Sequence, residues 1–238
     1  MKCAIVSERI TASQRAGLED EGFLVLPCPV CDLLPAPISH HPDSLLARIK
    51  DRILCYEGYK KENDPFFRTL HALCPKISVQ GLPDAPGALY PEDCRYNLLC
   101  TQKTAFYNPA GLSVSLIQVI GACGYQSVPT KQGYTACSVL MLDDRHAITA
   151  DEGMVRALSR RGVSVLRIAS GDILLPPYSC GFIGGASGVY KDKVYFYGDI
   201  TAHPSYSEMR RFSDAAGFSL CPLSNEPLSD LGGILFLE

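Results

Sequence analysis

The 238-residue sequence carries 22 basic and 25 acidic side chains, a formal net charge of −3, with 47% hydrophobic and 20% charged residues. Such a chain is long enough for a sizeable core and too apolar to be disordered. Its slightly acidic balance argues against a nucleic-acid partner, whose binding draws on counterions released by basic patches. No apolar run reaches the roughly 18 residues of a membrane span. The longest, Gly111 to Gly124, is broken by Gln118 and two serines and reads as a buried helix.

Met1-Lys2 leads into four apolar residues and then Ser7-Glu8-Arg9, without a signal-peptide pattern. A cytoplasmic location is expected, in which most of the 11 cysteines are free thiols packed as small hydrophobes.

In chain order, Lys2-Cys-Ala-Ile-Val6 reads as a strand, and Thr11-x-x-Gln14 as a capping box opening a helix that Gly22 ends. Gly22-Phe-Leu-Val-Leu-Pro27 is the next strand. A hairpin follows, from Ser44–Ile49 through Lys50-Asp51 to Arg52–Tyr56. Asp64-Pro65 supplies an N-cap and a first-turn proline to a helix whose buried stripe is Phe66, Phe67, Leu70 and Leu73. Pro75-Lys-Ile-Ser-Val79 is the strand after it.

A second hairpin joins Asn97–Cys100 to Thr104–Tyr107, followed by an apolar helix over Leu112–Ala122, with a start near Asn108, and a strand over Gly124–Pro129. The third hairpin joins Ser138–Leu142 to Arg145–Thr149 through Asp143-Asp144. Thr149-x-x-Glu152 is its capping box and Gly162-Val-Ser-Val-Leu166 its strand. The fourth joins Ser187–Tyr190 to Val194–Tyr197 around Asp192, then Ser205-x-x-Glu208 and Gly217-Phe-Ser-Leu-Cys-Pro222. Gly233–Glu238 is left as an orphan strand.

These elements repeat a strand-strand-helix-strand unit. The first copy lacks its opening strand, and the orphan strand at the C-terminus completes it. Five units in one domain over residues 1–238, closed into a ring by the terminal strands, are therefore expected; closure removes exposed sheet edges.

Five ββαβ units in a ring resemble the pentein fold, the α/β propeller of the guanidino-group-modifying enzymes. That superfamily includes arginine and agmatine deiminases, dimethylarginine dimethylaminohydrolase and amidinotransferases, and also a non-catalytic ribosome-associated factor. Tyr134-Thr-Ala-Cys-Ser138 and Gly181-Phe-Ile-Gly-Gly-Ala-Ser-Gly188 resemble an uncharacterised bacterial branch. The resemblance implies a cysteine nucleophile, a His-x-Asp pair and further carboxylates at the mouth of a central channel.

His41-Pro42-Asp43 matches the His-x-Asp pair, and strand periodicity would put both side chains on one face. Cys137 matches the nucleophile. Asp43 would orient His41 or clamp a cationic substrate. The family's Gly-Gly-acid motif falls on Gly184-Gly185-Ala186-Ser187, where alanine replaces the acid. Asp93, Asp230 or Glu226 would have to compensate. The substrate-binding set expected around the catalytic Cys137, His41 and Asp43 is Asp93, Asn97, Gly184, Gly185, Ser187 and Asp230.

The implied activity is cysteine-dependent hydrolysis or amidino or acyl transfer on a small guanidino-, amidine- or amide-like molecule held in the channel. The alternative is a non-catalytic pentein that binds a ligand or macromolecule. No cofactor is implied. Cys28-x-x-Cys31 with His40 and His41 has metal-ligand spacing, but Pro29, Pro35 and Pro37 make an extended connector and no second cysteine pair follows. His71, His146 and His203 read as structural.

Overall fold

A computed structural model describes residues 2–238. The first unit holds β1 (Cys3–Ser7), α1 (Ala12–Asp20) and β2 (Leu24–Cys28). The second opens with a helical turn, α2 (Pro42–Leu45), then β3 (Ala47–Ile49), β4 (Arg52–Tyr56), α3 (Glu57–Glu62), α4 (Asp64–Leu73) and β5 (Ser78–Leu82). The third holds β6 (Leu99–Cys100), β7 (Thr104–Tyr107), α5 (Val114–Ala122) and β8 (Gln126–Pro129). Another helical turn, α6 (Thr135–Ser138), precedes β9 (Val139–Asp143), β10 (His146–Thr149), α7 (Glu152–Ser159) and β11 (Ser164–Arg167). The fifth unit holds β12 (Ser187–Tyr190), β13 (Lys193–Phe196), α8 (Tyr206–Ala216) and β14 (Ser219–Pro222), and the chain ends on β15 (Leu235–Leu237).

The strands form five three-stranded sheets, each with an antiparallel hairpin and a parallel third strand reached through a helix. In the first sheet β15 supplies the antiparallel partner, pairing Ala4 with Phe236, while β2 is parallel to β1. The terminal strands thus complete one sheet, as the orphan-strand pattern implied.

Four helices, α1, α5, α7 and α8, hand over to their strands through a glycine: Gly22, Gly124, Gly162 and Gly217 have φ between 76° and 86°. A side chain would strain that left-handed turn, so the repeated glycine is a backbone requirement. The start signals hold less well. Thr11 and Gln14 make the full capping box. Thr149 does not cap α7, because its hydroxyl donates to Ser138 O at 2.6 Å, and Asp151 caps instead. Ser205 is the N-cap of α8, but its hydroxyl accepts from Ala169 N at 2.9 Å and makes no cap bond. Asn63 takes the N-cap of α4, with Asp64 inside the helix, and Ser113 caps α5 five residues beyond Asn108.

No sheet can bury both faces alone. The apolar clusters lie between consecutive units: Ile5 and Cys28 with Ile53 and Leu70; Leu54 with Leu116; Phe106 with Val139 and Met154; Ile148 with Phe196 and Met209. A fifth cluster packs Val6 and Phe236 on Tyr195 and Tyr197. All eleven cysteines are free, and five of them, Cys3, Cys28, Cys31, Cys55 and Cys74, sit in the first cluster. No helix among the described residues is long and apolar enough to cross a membrane.

Candidate active site

The turns that precede the inner hairpin strands bring the candidate residues together. Ser44 to Leu46 do not extend β3 as the apolar pattern implied. Pro42 sits at the first position of α2, where its fixed φ favours a helical turn, and Leu46 N donates back to Pro42 O at 2.8 Å. His41 and Asp43 therefore do not share a strand face. They converge because α2 docks on the C-terminal segment, with Asp43 N donating to Gly232 O at 3.0 Å. α6 presents Cys137 in the same way, anchored by Thr135, whose hydroxyl donates to Phe106 O at 3.0 Å.

Asp43 Oδ2 accepts a hydrogen bond from Cys137 Sγ at 2.8 Å, and Asn97 Nδ2 donates to the same sulfur at 3.0 Å. Asn97 Oδ1 accepts from Ala136 N at 2.7 Å, so this wholly buried amide engages the turn of Cys137 through both its oxygen and its nitrogen. The carboxylate beside His41 is not Asp43 but Asp230, 3.7 Å from Nδ1. That distance is too long for a hydrogen bond, and both ring nitrogens of His41 are buried without a partner. His41, Asp43 and Cys137 bring their donor atoms within 4.8 Å of one another. This nitrogen, oxygen and sulfur set is also the kind that coordinates zinc.

Asp230 is the compensating carboxylate. It accepts from Phe182 N at 2.9 Å and Gly232 N at 3.0 Å, and a Cβ at Gly185 would lie 2.0 Å from its Oδ1. Glycine at 185 is what admits the acid, while Ala186 is wholly buried in the core beside Leu140 and Phe196. Gly232 makes similar room for His41, whose Cβ lies 2.3 Å from where its own would stand. Of the other two carboxylates, Glu226 is at the surface, accepting from Thr11 and Ser13. Asp93 is buried but bound to Tyr134 Oη at 2.5 Å and Cys94 Sγ at 3.3 Å. Gly185 N donates to Cys137 O at 2.9 Å, and Ser187 Oγ to Ile183 O at 2.7 Å. Tyr134, whose ring lies 6.2 Å from those of Tyr90 and Phe182, was not singled out by sequence reasoning although it opens the Tyr134–Ser138 phrase.

Burial governs the protonation states. It raises Asp43 to about 6 and Asp230 to about 7, the latter also through the charge of Asp43. Cys137 stands well above an ordinary thiol, through burial first and then the two carboxylates, with the Asn97 bond opposing. Burial and then the neighbouring His40 and Arg9 lower His41 to about 3, which keeps the imidazole neutral.

A cavity of about 670 Å³ reaches this cluster, lined there by Asp43, Ala136, Gly184, Ser187 and Gly232. Cys137, His41 and Asp230 lie behind that floor, 3%, 1% and 2% exposed. The Cys28 and Cys31 pair joins neither this cluster nor His40: Cys28 bonds Tyr59 Oη at 3.2 Å, and His40 Nδ1 lies 2.6 Å from Ser7 Oγ. His203 shapes its turn, its Nδ1 accepting from Ser205 N at 3.1 Å.

No curated protein matches the sequence. In structure the chain is similar to DDAH from Pseudomonas aeruginosa, a cysteine-to-serine mutant complexed with citrulline. The TM-score is 0.55 at 11% identity, over 94% of this chain and 91% of that one. It is similar to SxtG, an amidinotransferase of the saxitoxin biosynthetic pathway from Microseira wollei, at TM-score 0.57 and 11% identity over 93% and 88%. The N-terminal domain of ArgZ, a cyanobacterial arginine dihydrolase, covalently bound to a reaction intermediate, matches at TM-score 0.56 and 12% identity over 100% and 97%.

Likeness at this identity defines the fold: the chain has the pentein fold of the guanidino-group-modifying enzymes. It belongs to a family of unknown function (DUF6873), whose profile spans residues 5–235.

Proposed function

We propose that residues 1–238 form one domain, a closed ring of five units, whose channel binds a small guanidino-, amidine- or amide-like substrate for hydrolysis or group transfer at Cys137. The interunit clusters, the fifth joining the last unit to the first, support closure. The eleven free thiols support a cytoplasmic location.

The observation that carries the catalytic reading is the convergence of Cys137, Asp43, Asp230 and an unpartnered His41 at the inner end of a cavity. Among the described residues no Lys or Arg pairs with Asp43 or Asp230. A bound guanidinium or amidinium supplies a positive charge and lowers the pKa of the thiol and both carboxylates together. The thiol proton then passes from sulfur to His41, directly or by way of Asp43, and the thiolate bonds to the amidine carbon. The C–N bond to the leaving amine breaks as His41 returns a proton to that nitrogen. Water, or an acceptor amine in a transferase, attacks the same carbon and gives its proton to His41. The C–S bond then breaks with its electron pair on sulfur. The ligands named with DDAH and ArgZ, citrulline and a covalent reaction intermediate, support this class.

Because Cys137 lies behind the cavity floor, turnover requires the Asp43 side chain or a covering segment to move. That closure favours the second reading, a pentein that binds a ligand without turning it over. A panel of guanidines and amidines assayed for released amine or ammonia separates the two. Turnover that disappears in Cys137→Ala supports catalysis; turnover that survives the substitution contradicts it. Tight binding without turnover supports the second reading.

A further inference from the structure

A second groove, of about 990 Å³, runs between α7 and the segment that follows β8, and shares no lining residue with the cavity at Asp43. Gly153, Arg156, Ala157 and Arg160 line it from the helix. Their spacing puts them on one face of α7, with Met154 and Leu158 turned to the core, so small residues alternate with arginines along that face. Arg161 and, from the opposite wall, Lys131 complete a set of four cations. Asp151 is the one acid among the described residues that line the groove.

Asp151 does not neutralise these cations. Its Oδ1 accepts from Met154 N and its Oδ2 from Gln132 Nε2, each at 2.8 Å, and the second bond ties the far wall to the helix. Arg160, Arg161 and Lys131 are in no ion pair among the described residues. Arg161 Nη1 donates only to the neutral Gln126 Oε1, at 3.1 Å. Arg156 stands 3.6 Å from Glu152, whose carboxylate already meets Arg167 at 2.7 Å. Like charges four residues apart, as at Arg156 and Arg160, destabilise a helix. The helix dipole offsets this at the C-terminal end of α7, but it does not account for Lys131, which comes from the third unit. A polyanion in the groove accounts for all four.

Tyr90 adds an aromatic wall. Its hydroxyl donates to Lys131 O at 3.2 Å and accepts from Asn108 Nδ2 at 3.1 Å, which fixes the ring, and the residue remains 54% exposed. We propose that the groove binds an oligophosphate, either as an inorganic chain or as the phosphate tail of a nucleotide whose base stacks on Tyr90. Arginine forks match the paired oxygens of phosphate. Arg156 and Arg160, about 6 Å apart along the helix axis, are spaced to hold separate phosphates of one chain. A tyrosine face stacks any base.

Isothermal titration of the 238-residue chain with tripolyphosphate, ATP, adenosine and citrate, in about 0.15 M salt, tests the site. Tripolyphosphate and ATP are expected to bind and adenosine is not. Citrate, an anion without phosphate, should bind at least about tenfold more weakly than tripolyphosphate. Arg160→Met and Lys131→Met should each weaken tripolyphosphate about tenfold, the worth of one charge-assisted pair, while Arg210→Met on α8 leaves it within about twofold. Both groove residues are exposed, so the ligand-free variants should melt with the wild type. ATP binding tighter than tripolyphosphate, with the gain lost in Tyr90→Leu, assigns the ligand to nucleotides; equal or weaker binding of ATP assigns it to inorganic chains. A gain that persists in Tyr90→Leu overturns the stacking. Absence of tripolyphosphate binding, citrate binding as tightly, or affinity indifferent to both Arg160→Met and Lys131→Met overturns the site.

Discussion

Two groups of buried thiols can be compared in this molecule. Cys3, Cys28 and Cys55 lie in the core between the first two sheets, and burial pushes each to about 12. Cys137 is buried to a similar degree and its pKa also stands high. A raised pKa therefore does not tell an inert thiol from a candidate nucleophile. What faces the sulfur does: Cys28 meets a tyrosine hydroxyl, whereas Cys137 meets Asp43 and Asn97, with His41 and Asp230 close by. On the proposed reading, a bound amidinium stabilises the second environment and not the first.

Cys137→Ala is predicted to lower turnover of any substrate by at least about a thousandfold, since the covalent route is lost. Cys55→Ala should leave turnover within a small factor and appear only as a modest loss in Tm. Equal effects from the two would erase the distinction between the regions. In the core, Leu70→Ala is expected to cost about 2–5 kcal/mol in denaturant unfolding, because Leu70 is wholly buried in the cluster shared by the first two units.

The pH dependence of stability sharpens the comparison. Asp230, raised to about 7, binds its proton more tightly folded than unfolded. Its neutral form therefore stabilises the fold at low pH, and the contribution is lost as pH rises from about 4 to 7. His40 and His41, lowered to about 4 and 3, act oppositely, and stability gained through them grows as pH rises toward 6.5. In Asp230→Asn the histidine contribution remains. The stability of this variant relative to wild type should improve by on the order of 3 kcal/mol between pH 4 and pH 8. Urea unfolding at the two pH values checks this, and a flat difference would mean Asp230 is not a buried acid. A smaller effect is expected from Asn97→Ala, which removes the one hydrogen bond that favours the thiolate and should slow Cys137 alkylation about tenfold.

Much of the fold was legible because its signals are local. Glycine ends a helix wherever the backbone must turn left-handed, hairpin strands alternate, and the terminal strand patterns complement each other. The helical turns at Pro42–Leu45 and Thr135–Ser138 were not legible, since short apolar runs such as Ser44–Leu46 suit a strand equally well. For the site, His41, Asp43 and Cys137 could be placed together through the resemblance to the pentein motifs. Their partners could not: Asp230 faces His41, and Asn97 reaches a sulfur 40 residues away, only through tertiary approach. The room that Gly185 leaves for Asp230 likewise appears only when two distant segments pack.

Alkylation of Cys137 by chloroacetamidine and by its uncharged isostere chloroacetamide, followed by peptide mass mapping, separates recognition of a cation from plain thiol reactivity. The site described above predicts labelling at Cys137 ahead of the other ten cysteines. It should be at least about tenfold faster with the amidine, with the preference lost in Asp43→Asn. Equal rates with the two reagents, or labelling spread over the other thiols, would contradict it.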